Sequence, residues 1–277
     1  MEEFKLEEKY VETPHGKIVY FSRSISKDKP TVVFLHGLSS NHSTWLHAME
    51  KLSQNGLGSI ALDLRGHGFS DMQKKRKLYN LGNMKEDLKL ILEKEELNSV
   101  HLVGYSYGGY IAEDFVINYP DKVKSLFLIS TGHVNPFVYS PYPSVLAPVG
   151  YGLLNFLSFV LRWQKLKNYH YYQYGESKGY WASTFEGLRT MPLSVNFWML
   201  SQAFRFDFRK TLINIKCPTL LLYAKSDPFL SDREVNDMHK KIKNSEIIKI
   251  EHPSHFLASD HQEKITEIIL DFVKKHS

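Results

Sequence analysis

The residues Gly104-Tyr105-Ser106-Tyr107-Gly108-Gly109 constrain this chain more than any other stretch. They follow a short apolar run, Val100-His101-Leu102-Val103, and precede a helical pattern with Ile111, Phe115 and Tyr119 four residues apart. The expected order is strand, abrupt turn, helix. Such a turn leaves almost no room for side chains two positions before and two after its serine, and Gly104 and Gly108 meet that demand. Gly109 lets the helix approach the strands. Ser106 then stands at a helix N-terminus, where unpaired N–H groups and the helix dipole favour developing negative charge.

The remaining elements alternate. Thr13-Pro14-His15-Gly16 reads as the turn of an N-terminal hairpin between Lys9–Val11 and Ile18–Phe21. Apolar runs at Thr31–Leu35, Ser59–Leu62, Val123–Ser130, Thr219–Ala224 and Glu246–Ile250 read as strands. Helical stripes fall at Trp45, Met49 and Leu52, at Leu81 to Ile91 with Asn80 or Asn83 as cap, and at Ile265 to Val273. The pattern predicts an α/β fold whose central sheet is mostly parallel and flanked by helices.

Between two of these strands the alternation stops. Residues 133–210 hold 19 of the 37 aromatic residues, too many for a connecting loop. We expect an inserted helical cap over 132–211 on a core formed by 1–131 and 212–277. The net charge of +5 also resides there, with eight Lys or Arg against three acids between His133 and Lys210. The basic residues are dispersed among aromatics and match no nucleic-acid motif, so no nucleic acid is expected. The N-terminus has no signal-peptide pattern, and Cys217 is the single cysteine. Together these suggest a cytoplasmic protein without an internal disulfide.

Ligands of open α/β sheets bind beyond the carboxyl ends of the strands. There the chain supplies Ser106, then Asp227 after Thr219–Ala224, then His255 after Glu246–Ile250. A serine hydroxyl is a poor nucleophile near neutral pH. His255 is expected to take its proton and return it to the leaving group, while Asp227 orients the imidazole. The backbone N–H groups of Leu38 and Tyr107 are the expected oxyanion donors. His252 and Asp232 are rivals for the histidine and carboxylate positions. Asp232 reads instead as a helix cap, His36 as a loop brace, and Asp63, Arg65 and His67 as a structural turn. No metal-ligand spacing, phosphate loop or dinucleotide fingerprint appears, so neither metal nor cofactor is expected.

In this order His36-Gly37 with Trp45, Asp63-x-Arg65-Gly66-His67-Gly68-x-Ser70, the turn at Ser106, Asp227 and His255 resemble the α/β-hydrolase superfamily, in its lid-bearing esterase- and lipase-like branch. The resemblance covers nearly the whole core and implies that 132–211 forms the lid. Ser254 stands where such families usually have Gly, and Tyr107 where a small residue or Met is commoner. The expected reaction is hydrolysis of an apolar carboxylic ester, a short or medium acyl ester or a monoacylglycerol-like molecule. The alternatives are a carbon–carbon bond hydrolase, a small-peptide peptidase, a thioesterase, or a small-molecule receptor on the same fold. Trp45, Leu153, Phe156, Leu157 and Val160 are the expected substrate-binding side chains. Val134 to Leu161 carries no charge, but its prolines leave only Val149–Leu161 as continuous helix, short of the ~20 residues a membrane span needs. An alternative use of part of that face is contact with acidic lipid headgroups, with Arg162, Lys165 and Lys167 beside them.

Overall fold

The computed structural model describes residues 5–73, 75–139, 146–163, 189–253 and 255–277. The expected alternation is present. In chain order the elements are strands β1 (Glu7–Thr13), β2 (Gly16–Arg23) and β3 (Thr31–Leu35), helix α1 (Leu46–Gln54), strand β4 (Gly58–Leu62) and helix α2 (Leu81–Lys94). Strand β5 (Val100–Tyr105), helix α3 (Tyr107–Asn118) and strand β6 (Val123–Ile129) follow. Two described helices, α4 (Leu146–Val160) and α5 (Leu193–Ala203), lie in the connection to β7 (Thr219–Ala224). The chain closes with α6 (Asp232–Lys241), β8 (Ser245–Ile250), α7 (Leu257–Asp260) and α8 (Gln262–His276).

All eight strands form one sheet in the order β1-β2-β4-β3-β5-β6-β7-β8. The β1–β2 hairpin joins antiparallel to β4, and every other pairing is parallel. Strands such as β3 are buried along their whole length, which explains why they read as unbroken apolar runs. Val33, Leu35 and Ile60 belong to the core on one face, with α2 and α3, while Val32, Phe34 and Ala61 belong to that on the other, with α1 and α8.

Local signals explain the helix starts. The Asn80 side chain accepts the Asn83 N–H at 2.9 Å and caps α2. At α6 the cap is Ser231, whose side chain accepts the Glu234 N–H, and not Asp232. Asp232 instead accepts hydrogen bonds from Tyr223 and Lys249, each at 2.8 Å. Pro148 lies in the first turn of α4, where its missing N–H would have had no partner.

The connection between β6 and β7 leaves and returns at one place. Val134 bridges Asp207, the Asn135 N–H donates to Phe206 O at 3.0 Å, and the Phe208 N–H donates to His133 O at 2.8 Å. The expected cap boundaries lie just outside this closure. Lys165, Lys167 and Ser254 lie outside the described residues. Among the described residues no helix is long and apolar enough to cross a membrane.

Candidate active site

The parallel register brings the carboxyl ends of β5, β6, β7 and β8 side by side, Tyr105 facing Ile129, Ile129 facing Leu222, and Ala224 facing Ile250. Two strand spacings separate β5 from β7, roughly 10 Å. One imidazole with a hydrogen bond at each end fills such a gap.

Ser106 occupies the turn between β5 and α3 with φ 50° and ψ −117°, a left-handed conformation that a non-glycine residue adopts only under constraint. The constraint comes from both sides. The Ser106 N–H donates to Ile129 O at 2.9 Å, and the Gly109 N–H donates to Ser106 O at 2.9 Å. A Cβ on Gly108 would sit 2.4 Å from Leu35 O, and one on Gly104 would sit 2.7 Å from Gly108 O. Glycine at these two positions is therefore a steric requirement.

His255 bridges the other two candidates. Its Nε2 lies 2.7 Å from Ser106 Oγ and its Nδ1 lies 2.8 Å from Asp227 Oδ2. The Asp227 side chain is fully buried, and its other oxygen accepts the Phe229 N–H at 2.9 Å. Because Asp227 can only accept when ionised, Nδ1 carries the imidazole proton and Nε2 presents its lone pair to the serine. The loops that carry both residues are joined at their roots: Lys225 N–H donates to Ile250 O at 2.9 Å and Ser226 N–H to His252 O at 3.3 Å. The rival His252 points elsewhere, to Asp260 Oδ2 at 3.1 Å and His261 Nε2 at 3.0 Å.

Two aromatic neighbours of His255 carry no sequence signal. The Tyr105 hydroxyl donates to His255 O at 2.9 Å and its ring stacks beside the imidazole, while Phe229 meets the imidazole edge-on at 5.2 Å. Trp45, expected to bind substrate, is instead a core residue. It is 2% exposed, stacked on Phe34 at 4.8 Å and edge-on to Tyr105 at 6.4 Å. Its contribution to the site is indirect, as a wall behind the tyrosine that holds His255. Leu153, Phe156 and Val160 stand 57%, 63% and 50% exposed on α4, and Leu157 is half-buried. Among the described residues, that is a solvent-facing side of the helix.

The loop holding Leu38 runs directly against the serine. A Cβ on Gly37 would lie 3.3 Å from Ser106 Cβ. Tyr107 opens α3, so its N–H lies outside the helix's own hydrogen-bond ladder. Its ring packs against Tyr110 and Phe206, and its buried hydroxyl has no hydrogen-bond partner among the described residues. Burial pushes that hydroxyl's pKa well above the usual phenol value.

Ser39, next to Leu38, also has a left-handed φ of 64° and is held on three sides. Its N–H donates to His67 Nε2 at 3.1 Å, its carbonyl accepts from the Thr190 hydroxyl at 2.8 Å, and its own hydroxyl donates to Asn196 Oδ1. Thr190 and Asn196 are buried and come from the β6–β7 connection. Neither carries a local sequence signal.

The turn motif around Asp63 is a bracing network. His36 donates from Nδ1 to Gly37 O at 2.7 Å and accepts the Leu64 N–H at Nε2 at 3.0 Å. Burial lowers its pKa to about 4, so it stays neutral. Burial pushes the Asp63 carboxyl up, but the hydrogen bond and charge of His42 outweigh it and hold Asp63 below its ordinary range. Arg65 is buried against Asp87, with Nε 3.0 Å from Oδ2. Cys217 is half-buried, and burial raises its thiol to about 11.

Residues 30–262 match the family model of the α/β hydrolase fold, and the chain belongs to that family. It is similar to an epoxide hydrolase 3 of Xenopus tropicalis, 28% identical over 92% of this chain and 74% of that protein. It is also similar to a monoacylglycerol lipase of Mus musculus, 23% identical over 96% of this chain and 82% of the other. Among solved structures, an esterase from Exiguobacterium antarcticum superimposes with a TM-score of 0.71 at 22% identity, covering 96% of this chain and 98% of its own.

Proposed function

We propose that this α/β hydrolase cleaves an apolar carboxylic ester through an acyl-enzyme formed on Ser106. The observation that carries the reading is the position of His255, within hydrogen-bond reach of Ser106 Oγ at 2.7 Å and of Asp227 Oδ2 at 2.8 Å. As Ser106 Oγ attacks the ester carbonyl, its proton passes to His255 Nε2. Asp227 stabilises the imidazolium that forms, without itself taking the proton. The carbonyl oxygen becomes an oxyanion between the N–H groups of Leu38 and Tyr107, each worth about 3–4 kcal/mol of barrier. Nε2 then protonates the departing alcohol. A water, deprotonated by the same nitrogen, attacks the acyl-serine and releases the acid. Residues 132–211 act as the cap over this site.

A hydroxyl nucleophile separates this reading from epoxide opening. Serine attack on an epoxide carbon would leave a dialkyl ether, which has no carbonyl for water to attack, and the enzyme would stop after one turnover. Attack on an ester leaves another ester, which the same groups hydrolyse.

The test is labelling by a fluorophosphonate together with turnover of a nitrophenyl ester panel, a peptide amide and a vinylogous diketone. Wild-type protein is expected to label and to turn over esters fastest, and Ser106→Ala to lose both. Ester turnover no faster than buffer refutes the reading. Tight binding of a small ligand without any labelling favours a receptor on the same fold.

A further inference from the structure

An ordinary surface helix turns its apolar stripe inward and its polar side to water. Helix α4 turns large apolar side chains to water as well. Val149, Leu153, Phe156 and Val160, with Trp163 just past its end, recur at spacings of four and three and therefore share one face. They are 63%, 57%, 63%, 50% and 76% exposed, and Phe159 beside them is 50% exposed. The inner side carries Ala147 and Ser158, with Leu154 and Leu157 half-buried beside them. Ala147 and Ser158 are buried, and the Ser158 hydroxyl donates to Ser194 O at 2.5 Å while accepting from Arg76 at 2.6 Å. That anchor fixes which face looks outward. Single exposed apolar side chains need no explanation, but a continuous stripe of this length marks a contact surface.

We propose that the outer face of α4 docks on an anionic lipid bilayer, lying in the boundary between headgroups and acyl chains. Three observations select this occupant. No charged residue occurs from Val134 to Leu161, so nothing on the helix resists entry into an apolar layer. At its edge Arg162 sets its guanidinium over the rings of Phe159, at 3.9 Å, and Trp163, at 5.0 Å. An indole with a cation beside it suits the level of phosphate headgroups. The surrounding segment, residues 133–210, carries an excess of five positive charges, which anionic headgroups would neutralise. The same excess opposes a second copy of this chain as the occupant, because face-to-face pairing brings two segments of like net charge together. No described helix is long and apolar enough to cross the membrane, so the contact is one of lying on the surface. The inference is independent of the proposed ester chemistry, and its test reads binding alone.

The full-length chain is sedimented with vesicles of phosphatidylcholine mixed with phosphatidylserine, and with phosphatidylcholine alone, at low and physiological salt. Wild-type protein is expected to bind the mixed vesicles more strongly, with salt weakening the contact. Val149→Asp/Trp163→Asp, which changes two exposed side chains, is expected to lose at least about tenfold in partitioning while melting like wild type. Arg162→Gln is expected to lose about fivefold on anionic vesicles and nothing on neutral ones. Should the double variant misfold, quenching of tryptophan fluorescence by brominated acyl chains replaces it. Quenching is expected in wild type and diminished in Trp163→Phe. Failure of wild type to bind the mixed vesicles overturns the proposal, as does equal binding by a folded double variant or equal quenching in Trp163→Phe. A concentration-dependent dimer that the double variant abolishes would also overturn it, assigning the face to a second copy.

Discussion

Replacing Asp227 by Asn changes one heavy atom of the candidate site, and the structure dictates which way the new amide must point. Asp227 Oδ1 accepts the Phe229 N–H at 2.9 Å, so the amide keeps its oxygen there and turns its NH2 toward His255 Nδ1. Two donors cannot face each other. The imidazole must therefore carry its proton on Nε2, pointing at Ser106, where it cannot accept the hydroxyl proton. The productive tautomer returns only if the amide flips, which sets its NH2 against the Phe229 N–H. Losing that hydrogen bond costs about 1–3 kcal/mol, which holds the productive arrangement to roughly one part in ten to one in a hundred. The variant also lacks the negative charge opposite the imidazolium, and a charge-assisted hydrogen bond of about 1.5–3 kcal/mol removes a further ten- to hundredfold. The expected loss in kcat is about 10²- to 10⁴-fold, and its upper end equals the defect known for a wrong tautomer in serine proteases. Asn is nearly isosteric and keeps the Phe229 contact, so KM and melting temperature should stay near wild type. The assay is steady-state hydrolysis of a soluble nitrophenyl ester, with the imidazole tautomer read by nitrogen NMR. A folded variant within tenfold of wild-type kcat would show that Asp227 does not set the tautomer, and the proposed roles of all three residues would fall with it.

Thr190→Val removes the donor to the Ser39 carbonyl, and Asn196→Ala removes the acceptor for its hydroxyl. If this clamp holds the Leu38 N–H in place, each variant loses about ten- to a hundredfold in kcat with little change in KM, and Thr190→Ser restores activity; a rise in KM alone would refute the clamp. Glu113 is fully buried on α3, one turn beyond Gly109, and neither carboxyl oxygen has a hydrogen-bond partner among the described residues. Burial first, and the charge of Glu234 second, raise its pKa well above 4.5 in the folded protein. A raised folded-state pKa contributes stability that is full below the unfolded value and is lost as pH rises toward the folded one. Melting in urea should therefore show stability falling by up to about 1.4 kcal/mol per pH unit above pH 4.5, and Glu113→Gln should flatten that slope; equal slopes would refute the assignment.

How far the sequence could be read depends on the range over which each signal acts. Strand β7 matches its expected limits because a strand buried on both faces is an apolar run bounded by turn residues, and both properties are local. The turn at Ser106 was legible for a similar reason, since Gly104 and Gly108 are demanded by backbone atoms that any such turn brings together. His255 could be favoured over His252 only through its neighbours Phe256 and Leu257 and the helix beyond them, and the geometry that separates the two histidines depends on partners 28 and 149 residues away. The clamp on Ser39 had no local signal. Its partners lie 151 and 157 residues along the chain, and a threonine or asparagine there looks like any other polar residue. Helix α4 exposes a different limit. Periodicity locates a buried face by contrast between apolar and polar positions, and a helix without a single charged residue offers almost none. The hydrogen-bonded anchor at Ser158 decides in its place. Against α5 the Ser158 hydroxyl reaches Ser194 O, and Leu153, Phe156 and Val160 lie on the exposed side. Hydropathy alone therefore does not decide whether Leu153, Phe156, Leu157 and Val160 face substrate or solvent.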